Sequence, residues 1–108
     1  MSEPIKIQGG NFEQEVLQSS VPVLVDFGAD WCGPCQRLAP FIDELARDFS
    51  GRAKVAKVDV DTNQGLATRY SVMSVPTLVI FKDGQEFKKW IGFTSKDTLA
   101  RGLEEALR

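Results

Sequence analysis

This 108-residue chain predicts an α/β fold, a mixed central sheet with helices packed on both faces. Three observations carry that expectation. Strand-like and helix-like stretches alternate in the order β-α-β-α-β-α-β-β-α. The run Val21 to Ala29 is β-branched and nearly continuously apolar, the pattern of a central strand covered on both sides. Finally, Lys82-Asp83-Gly84 turns one apolar run back into another, which makes the last two strands antiparallel. The preference for right-handed crossovers prunes the remaining topologies.

Taken in order, Ile5 and Ile7 give a short edge strand, and Gly9-Gly10 separates it from a helix. Asn11, followed three residues later by Gln14, resembles a capping box opening that helix, with Phe12 and Val16 on one face. After the central strand, Leu38, Phe41, Ile42, Leu45 and Phe49 recur at three- and four-residue spacing from Pro34 onward. That stripe ends at Ser50-Gly51, and Pro40 inside it removes a backbone hydrogen bond and predicts a kink. Ala53 to Val60 reads as a strand, Asn63 to Tyr70 as a short helix, and Thr77 to Phe81 and Phe87 to Ile91 as the hairpin strands. Ser95 caps a last helix with Leu99, Leu103 and Leu107 on one face.

Composition narrows the function classes. A chain 43% hydrophobic and 26% charged suits one compact domain over residues 1–108. A net charge of -2, with Lys and Arg scattered among Asp and Glu, gives no footprint for nucleic acid. Met1-Ser2-Glu3-Pro4 lacks a charged region followed by an apolar one, and the longest apolar stretch, around Val23 to Phe27, is too short to span a bilayer. A cytoplasmic protein, free of the membrane and monomeric by default, is the expectation.

The only two cysteines stand two residues apart in Trp31-Cys32-Gly33-Pro34-Cys35, between the central strand and a helix. Thiols so spaced close a reversible disulfide within one helical turn, and active groups in such sheets sit at the carboxyl ends of parallel strands. In a reducing compartment a lone pair reads as catalytic rather than structural. A zinc half-site is the competing reading, but with no His and no second Cys pair the chain cannot supply four soft ligands, so no metal and no cofactor are expected. Asp26 is anomalous, a carboxylate between Val25 and Phe27 in a strand that should be buried. Burial without a strong partner raises its pKa, so it could take a proton from Cys35, with Lys57 tuning it from the neighbouring strand. The plainer alternative is that Asp26 and Lys57 form a merely structural buried pair and that Lys57 snorkels outward. Pro76 is a strand-initiating proline on its face.

Over essentially its whole length the chain resembles the thioredoxin family. The resemblance rests on Asp26, the Trp-Cys-Gly-Pro-Cys segment at 31 to 35, Pro40, Lys57, Val75-Pro76-Thr77, Gly84 and Gly92, all in the family's order. It implies a thioredoxin fold with five strands and four helices, general protein disulfide reductase activity, protein disulfides as substrates and recycling by a thioredoxin reductase. It also implies a cis peptide bond before Pro76, packed against the Cys pair. A cis bond would leave the Val75 backbone free to pair with an extended substrate segment.

In that reading Cys32 is the attacking sulfur, its pKa lowered below about 8.5 by the helix N-terminus. Cys35, expected to be less exposed, resolves the mixed disulfide. Gly33 lets a substrate backbone approach, and Pro34 rigidifies the first turn at no cost in hydrogen bonds. Trp31, Val75, Pro76, Gly92 and Phe93 form an apolar docking surface around Cys32. Trp90 and Phe93 could equally be core aromatics. Two departures from the family pattern stand out. Gly28 occupies a position that commonly carries Trp, which leaves a smaller support under the active-site loop and predicts an altered redox poise or stability. Gln36 stands where Lys or Arg is common, which predicts a weaker pull on the cysteine pKa. A binding module that uses the apolar patch, or an oxidant or isomerase, are the alternatives, although Gly-Pro between the cysteines resembles the reducing branch.

Overall fold

The strand Val23–Gly28 (β2) organises the molecule, because it pairs on both sides and is buried along nearly its full length. The computed structural model describes residues 3–8 and 10–108. Gly9 of the expected Gly9-Gly10 break, and Met1 and Ser2, lie outside the described residues. The elements run β1 (Ile5–Lys6), a helical turn (Glu13–Leu17), β2, α1 (Gly33–Asp48), β3 (Lys54–Asp59), α2 (Gln64–Arg69), β4 (Thr77–Lys82), β5 (Gln85–Ile91) and α3 (Lys96–Ala106). This is the expected order. The sheet order is β1-β3-β2-β4-β5, with β1, β3 and β2 parallel and β4 and β5 antiparallel to their neighbours.

Alternation along β2 divides the core in two. Leu24, with Leu78 and Ile80 of β4, faces Leu38, Ile42 and Leu45 of α1 and Leu99 and Leu103 of α3. Val23, Val25 and Phe27, with Val79 and Phe81, face Phe12 and Val16 on the other side, where Leu66 and Tyr70 close the layer. Helices thus cover both faces because strand side chains of both parities are apolar. Asp26 shares the parity of Leu24, which aims a carboxylate into the layer under α1. Its register partners are Lys57 on β3 and Leu78 on β4.

Four helical segments are present as expected, but the first is wound as a five-residue π-helical turn, with Gln18 N–H bonding Glu13 O. The capping box at Asn11 and Gln14 does not form. Asn11 Oδ1 accepts instead from Gln8 N–H at 2.9 Å, and its amide donates to Lys6 O, so the side chain ties down the end of β1. Phe41 departs from the apolar stripe of α1: it is exposed and meets Phe93 edge to face, centroids 6.4 Å apart. α1 runs unbroken through Pro40. At the hairpin, Asp83 and Gly84 both have positive φ, as a two-residue turn of this hand requires. Ser95 caps α3 as its sequence position predicts, its Oγ accepting from Thr98 N–H at 3.2 Å.

Candidate active site

The Cys pair sits where β2 hands the chain to α1. Cys32 is the N-cap of α1, Gly33 its first residue, and Pro34 lies in the first turn, where a missing N–H costs nothing. Cys35 follows one turn on, and the two cysteines are joined as a disulfide with Cα atoms 5.2 Å apart. The backbone N–H of Cys35 donates to Cys32 Sγ at 3.2 Å. A helix N-terminus offers unpaired N–H groups and the positive end of the dipole, and the first turn of α1 carries no acidic side chain to offset it. Such a terminus favours negative charge placed beside it. Gln36 turns away from the sulfurs and donates to Asp30 O at 2.7 Å.

Exposure differs from expectation. Cys32 is 4% and Cys35 9% exposed, the reverse of the predicted ranking. Cys32 is packed under Val60 and Val75, and its Sγ lies 3.7 Å from Val75 O. Cys35 packs closely against Gly28: a Cβ built there would stand 3.3 Å from Cys35 Sγ, tighter than an ordinary contact, and 3.6 Å from Asp26 Oδ1.

Asp26 is 5% exposed, and its Oδ1 has no hydrogen-bond partner. Desolvation pushes its pKa up from 3.8 to about 6, with the Lys57 ammonium pulling partway back. Lys57 itself is exposed, and the ion pairs among the described residues do not include one between it and Asp26. Among the described residues no direct Asp26–Lys57 ion pair forms, and the lysine acts on Asp26 through space.

On the outer side of Cys32, Trp31 is 70% and Met73 92% exposed, Ile91 and Phe93 are also exposed, and Val75 and Gly92 are half-buried. The Val75–Pro76 bond is cis, as the resemblance implies, and Pro76 is buried with its carbonyl accepting from Gly92 N–H at 2.8 Å. A shallow groove of about 380 Å³ runs among Trp31, Val60, Val72, Met73, Ser74 and Val75. Val60, Met73 and Ile91 were not singled out from sequence; the near-total exposure of an apolar Met73 is visible only once the loop before Pro76 is placed. Asp61 was also missed, and it orients Trp31 by accepting its indole N–H at 2.9 Å. Trp90 packs on the α1/α3 core rather than on this surface. Among the described residues no cluster of His, Cys, Asp or Glu could hold a metal ion, and no helix is long and apolar enough to cross a membrane.

A cysteine pair closed as a disulfide at a strand–helix junction, flanked by an apolar platform and a buried carboxyl, defines a dithiol–disulfide oxidoreductase. The family model described as Thioredoxin matches residues 3–105. Among curated relatives, thioredoxin 1 of Synechococcus elongatus is 49% identical, the match covering 99% of this chain and all of the relative. The thioredoxin of Pseudomonas aeruginosa is 47% identical over 96% of this chain and 97% of its own. A solved mutant thioredoxin from Halobacterium salinarum superposes with a TM-score of 0.89 at 43% identity, covering 99% of this chain and 93% of that one. The chain belongs to the thioredoxin family, and its activity is that of a dithiol–disulfide protein reductase. Membership implies disulfide-bearing substrates and a reductase partner.

Proposed function

We propose that this single-domain protein reduces protein disulfides generally, with Cys32 as the attacking sulfur and Cys35 as the resolving one. The observation that supports this division most directly is the capping bond from Cys35 N–H to Cys32 Sγ at the start of α1. In the reduced protein the same N–H stabilises a Cys32 thiolate, the nucleophilic form. That thiolate attacks one sulfur of the target disulfide; the Cys32–target bond forms, and the other target sulfur leaves as a thiolate. The Cys35 thiol then gives up its proton, its thiolate attacks Cys32 Sγ, and the second target sulfur leaves. The Cys32–Cys35 disulfide remains, and the thioredoxin reductase returns two electrons to it.

Asp26 acts as the base for Cys35. With a pKa of about 6 it is mostly ionised at neutral pH, yet close enough to neutrality to hold a proton briefly. Lys57 keeps that pKa from rising further. Trp31, Val75, Pro76, Gly92 and Phe93 hold an extended target segment, its backbone pairing beside Val75 in the manner of an added strand. Gly33 and Pro34 set the loop, one allowing close approach and the other limiting its motion. The protein works as a cytoplasmic monomer without cofactor.

The test is insulin disulfide reduction by the wild type, Cys32→Ser and Cys35→Ser. Cys32→Ser is expected to lose turnover, and Cys35→Ser to accumulate a stable mixed disulfide on Cys32. A mixed disulfide that forms on Cys35 when Cys32 is absent, with turnover retained, overturns the assignment.

A further inference from the structure

Among the described residues three side chains carry sulfur, and they differ in access to solvent. Cys32 and Cys35 are buried and joined as a disulfide, which holds no thiolate, the form of cysteine that peroxides oxidise. Met73 is almost fully exposed, and a thioether is attacked as it stands, without ionisation. In the oxidised protein Met73 is therefore the open sulfur. It also lines the groove beside Trp31, Val60 and Val75, and the two valines pack on Cys32. No charged side chain among the described residues lines this groove, and the indole N–H of Trp31 is already given to Asp61. Ser74 is left as the side-chain donor in the lining. A polar oxygen placed here and then covered by an apolar target segment would lose its water with little in the lining to replace it, a cost that falls on docking.

We propose that Met73 is a peroxide-oxidation site, and that its sulfoxide weakens the docking of protein substrates while leaving the chemistry of the Cys pair intact. This rests on the reading of the groove as part of the surface that holds a target segment. A lone pair on the Met73 sulfur attacks one oxygen of hydrogen peroxide; the S–O bond forms, the O–O bond breaks, and the leaving hydroxide takes up a proton and departs as water. The thioether is oxidised by two electrons and the peroxide is reduced by two. The product exchanges a flexible apolar side chain for a polar one, and methionine sulfoxide reductases return it to the thioether, so the change is reversible. Peroxide thus slows traffic with protein targets through the docking surface and not through the sulfurs that exchange electrons.

The experiment treats the full chain, in its disulfide form, with hydrogen peroxide, removes the excess with catalase and locates the added oxygen by peptide mapping. Wild type and Met73→Leu are each compared with their own untreated sample, which cancels any basal effect of the leucine. Met1, the chain's other methionine, is present in both proteins, so the effect of its oxidation shows in the variant. The expected result is an oxygen on Met73 and a KM for insulin raised about threefold to tenfold in the treated wild type. Treated Met73→Leu should show no such rise, and reduction of the disulfide by dithiothreitol should keep its rate in both. A Met73 that takes up no oxygen, a sulfoxide there with KM unmoved, or an equal rise in treated Met73→Leu would overturn the inference. A dithiothreitol rate that slows in step with KM would also overturn it, by placing the damage at the Cys pair. An untreated wild type without insulin turnover would overturn the reductase reading and this one with it, whereas turnover untouched by the sulfoxide would overturn this one alone.

Discussion

Replacing Asp26 by Asn should change how stability depends on pH, and the size of the change follows from the site. In the folded protein Asp26 holds its proton up to pH about 6, against 3.8 for an ordinary aspartate, because its carboxyl is desolvated. Below pH 3.8 both folded and unfolded chains carry the proton and the residue contributes no pH dependence. Between 3.8 and about 6 the unfolded chain releases it while the folded one keeps it, so stability falls as pH rises. Above about 6 the loss is complete and constant. At 1.36 kcal/mol per pH unit, the interval corresponds to about 3 kcal/mol. Asn keeps the shape and cannot ionise. The wild type should therefore lose about 3 kcal/mol relative to Asp26→Asn between pH 3 and pH 8. Urea unfolding of the oxidised proteins reads this directly: with a slope of about 1.5 kcal/mol per molar, the gap between the two midpoints should move by about 2 M. Other groups titrate equally in both proteins and cancel. A midpoint gap that stays constant across this range would refute a buried, destabilised carboxylate at position 26.

Activity should respond at the same pH: turnover with insulin is expected to fall as pH drops through about 6 in the wild type, and Asp26→Asn should flatten that dependence while slowing release of the mixed disulfide, read by rapid quench. Met73→Asp should raise KM for insulin several-fold, by placing a charge on the apolar platform, and leave reduction by dithiothreitol unaltered; equal effects on both would argue against docking there. Gly102→Ala in α3 should cost about 1–3 kcal/mol in urea unfolding, since its Cβ would lie 2.6 Å from the Trp90 ring and 2.9 Å from Ile80. Ser95→Ala should lower stability by about 1 kcal/mol through loss of the α3 cap, measured in the same way.

The chain's periodicities foretold its element order because both parities of the central strand are apolar and each helix has one stripe. Ser95, the Asp83-Gly84 turn and the buried Asp26 were legible for the same reason: each follows from a local rule of capping, turn geometry or burial. What escaped the sequence depends on distant partners. Asn11 looks like a helix cap, but β1 claims its side chain. Phe41 fits the stripe of α1 by spacing, yet it lies where Phe93, arriving from beyond β5, supplies its contact outside the core. Asp61 reaches Trp31 across thirty residues of sequence. Gly28 could be recognised as a missing side chain, but that Cys35 Sγ packs against it, and that Cys32 is the less exposed residue of the pair, required the packing of α1 on β2. Gly102 gave no signal at all, since its constraint is the ring of Trp90 on another element.

The most direct test of the central claim is the equilibrium reduction potential of the Cys32–Cys35 pair against glutathione, measured beside insulin reduction by the wild type and Cys32→Ser. The account predicts a potential more reducing than the glutathione pool, with turnover lost in the variant. An oxidising potential, or activity indifferent to Cys32, would contradict it.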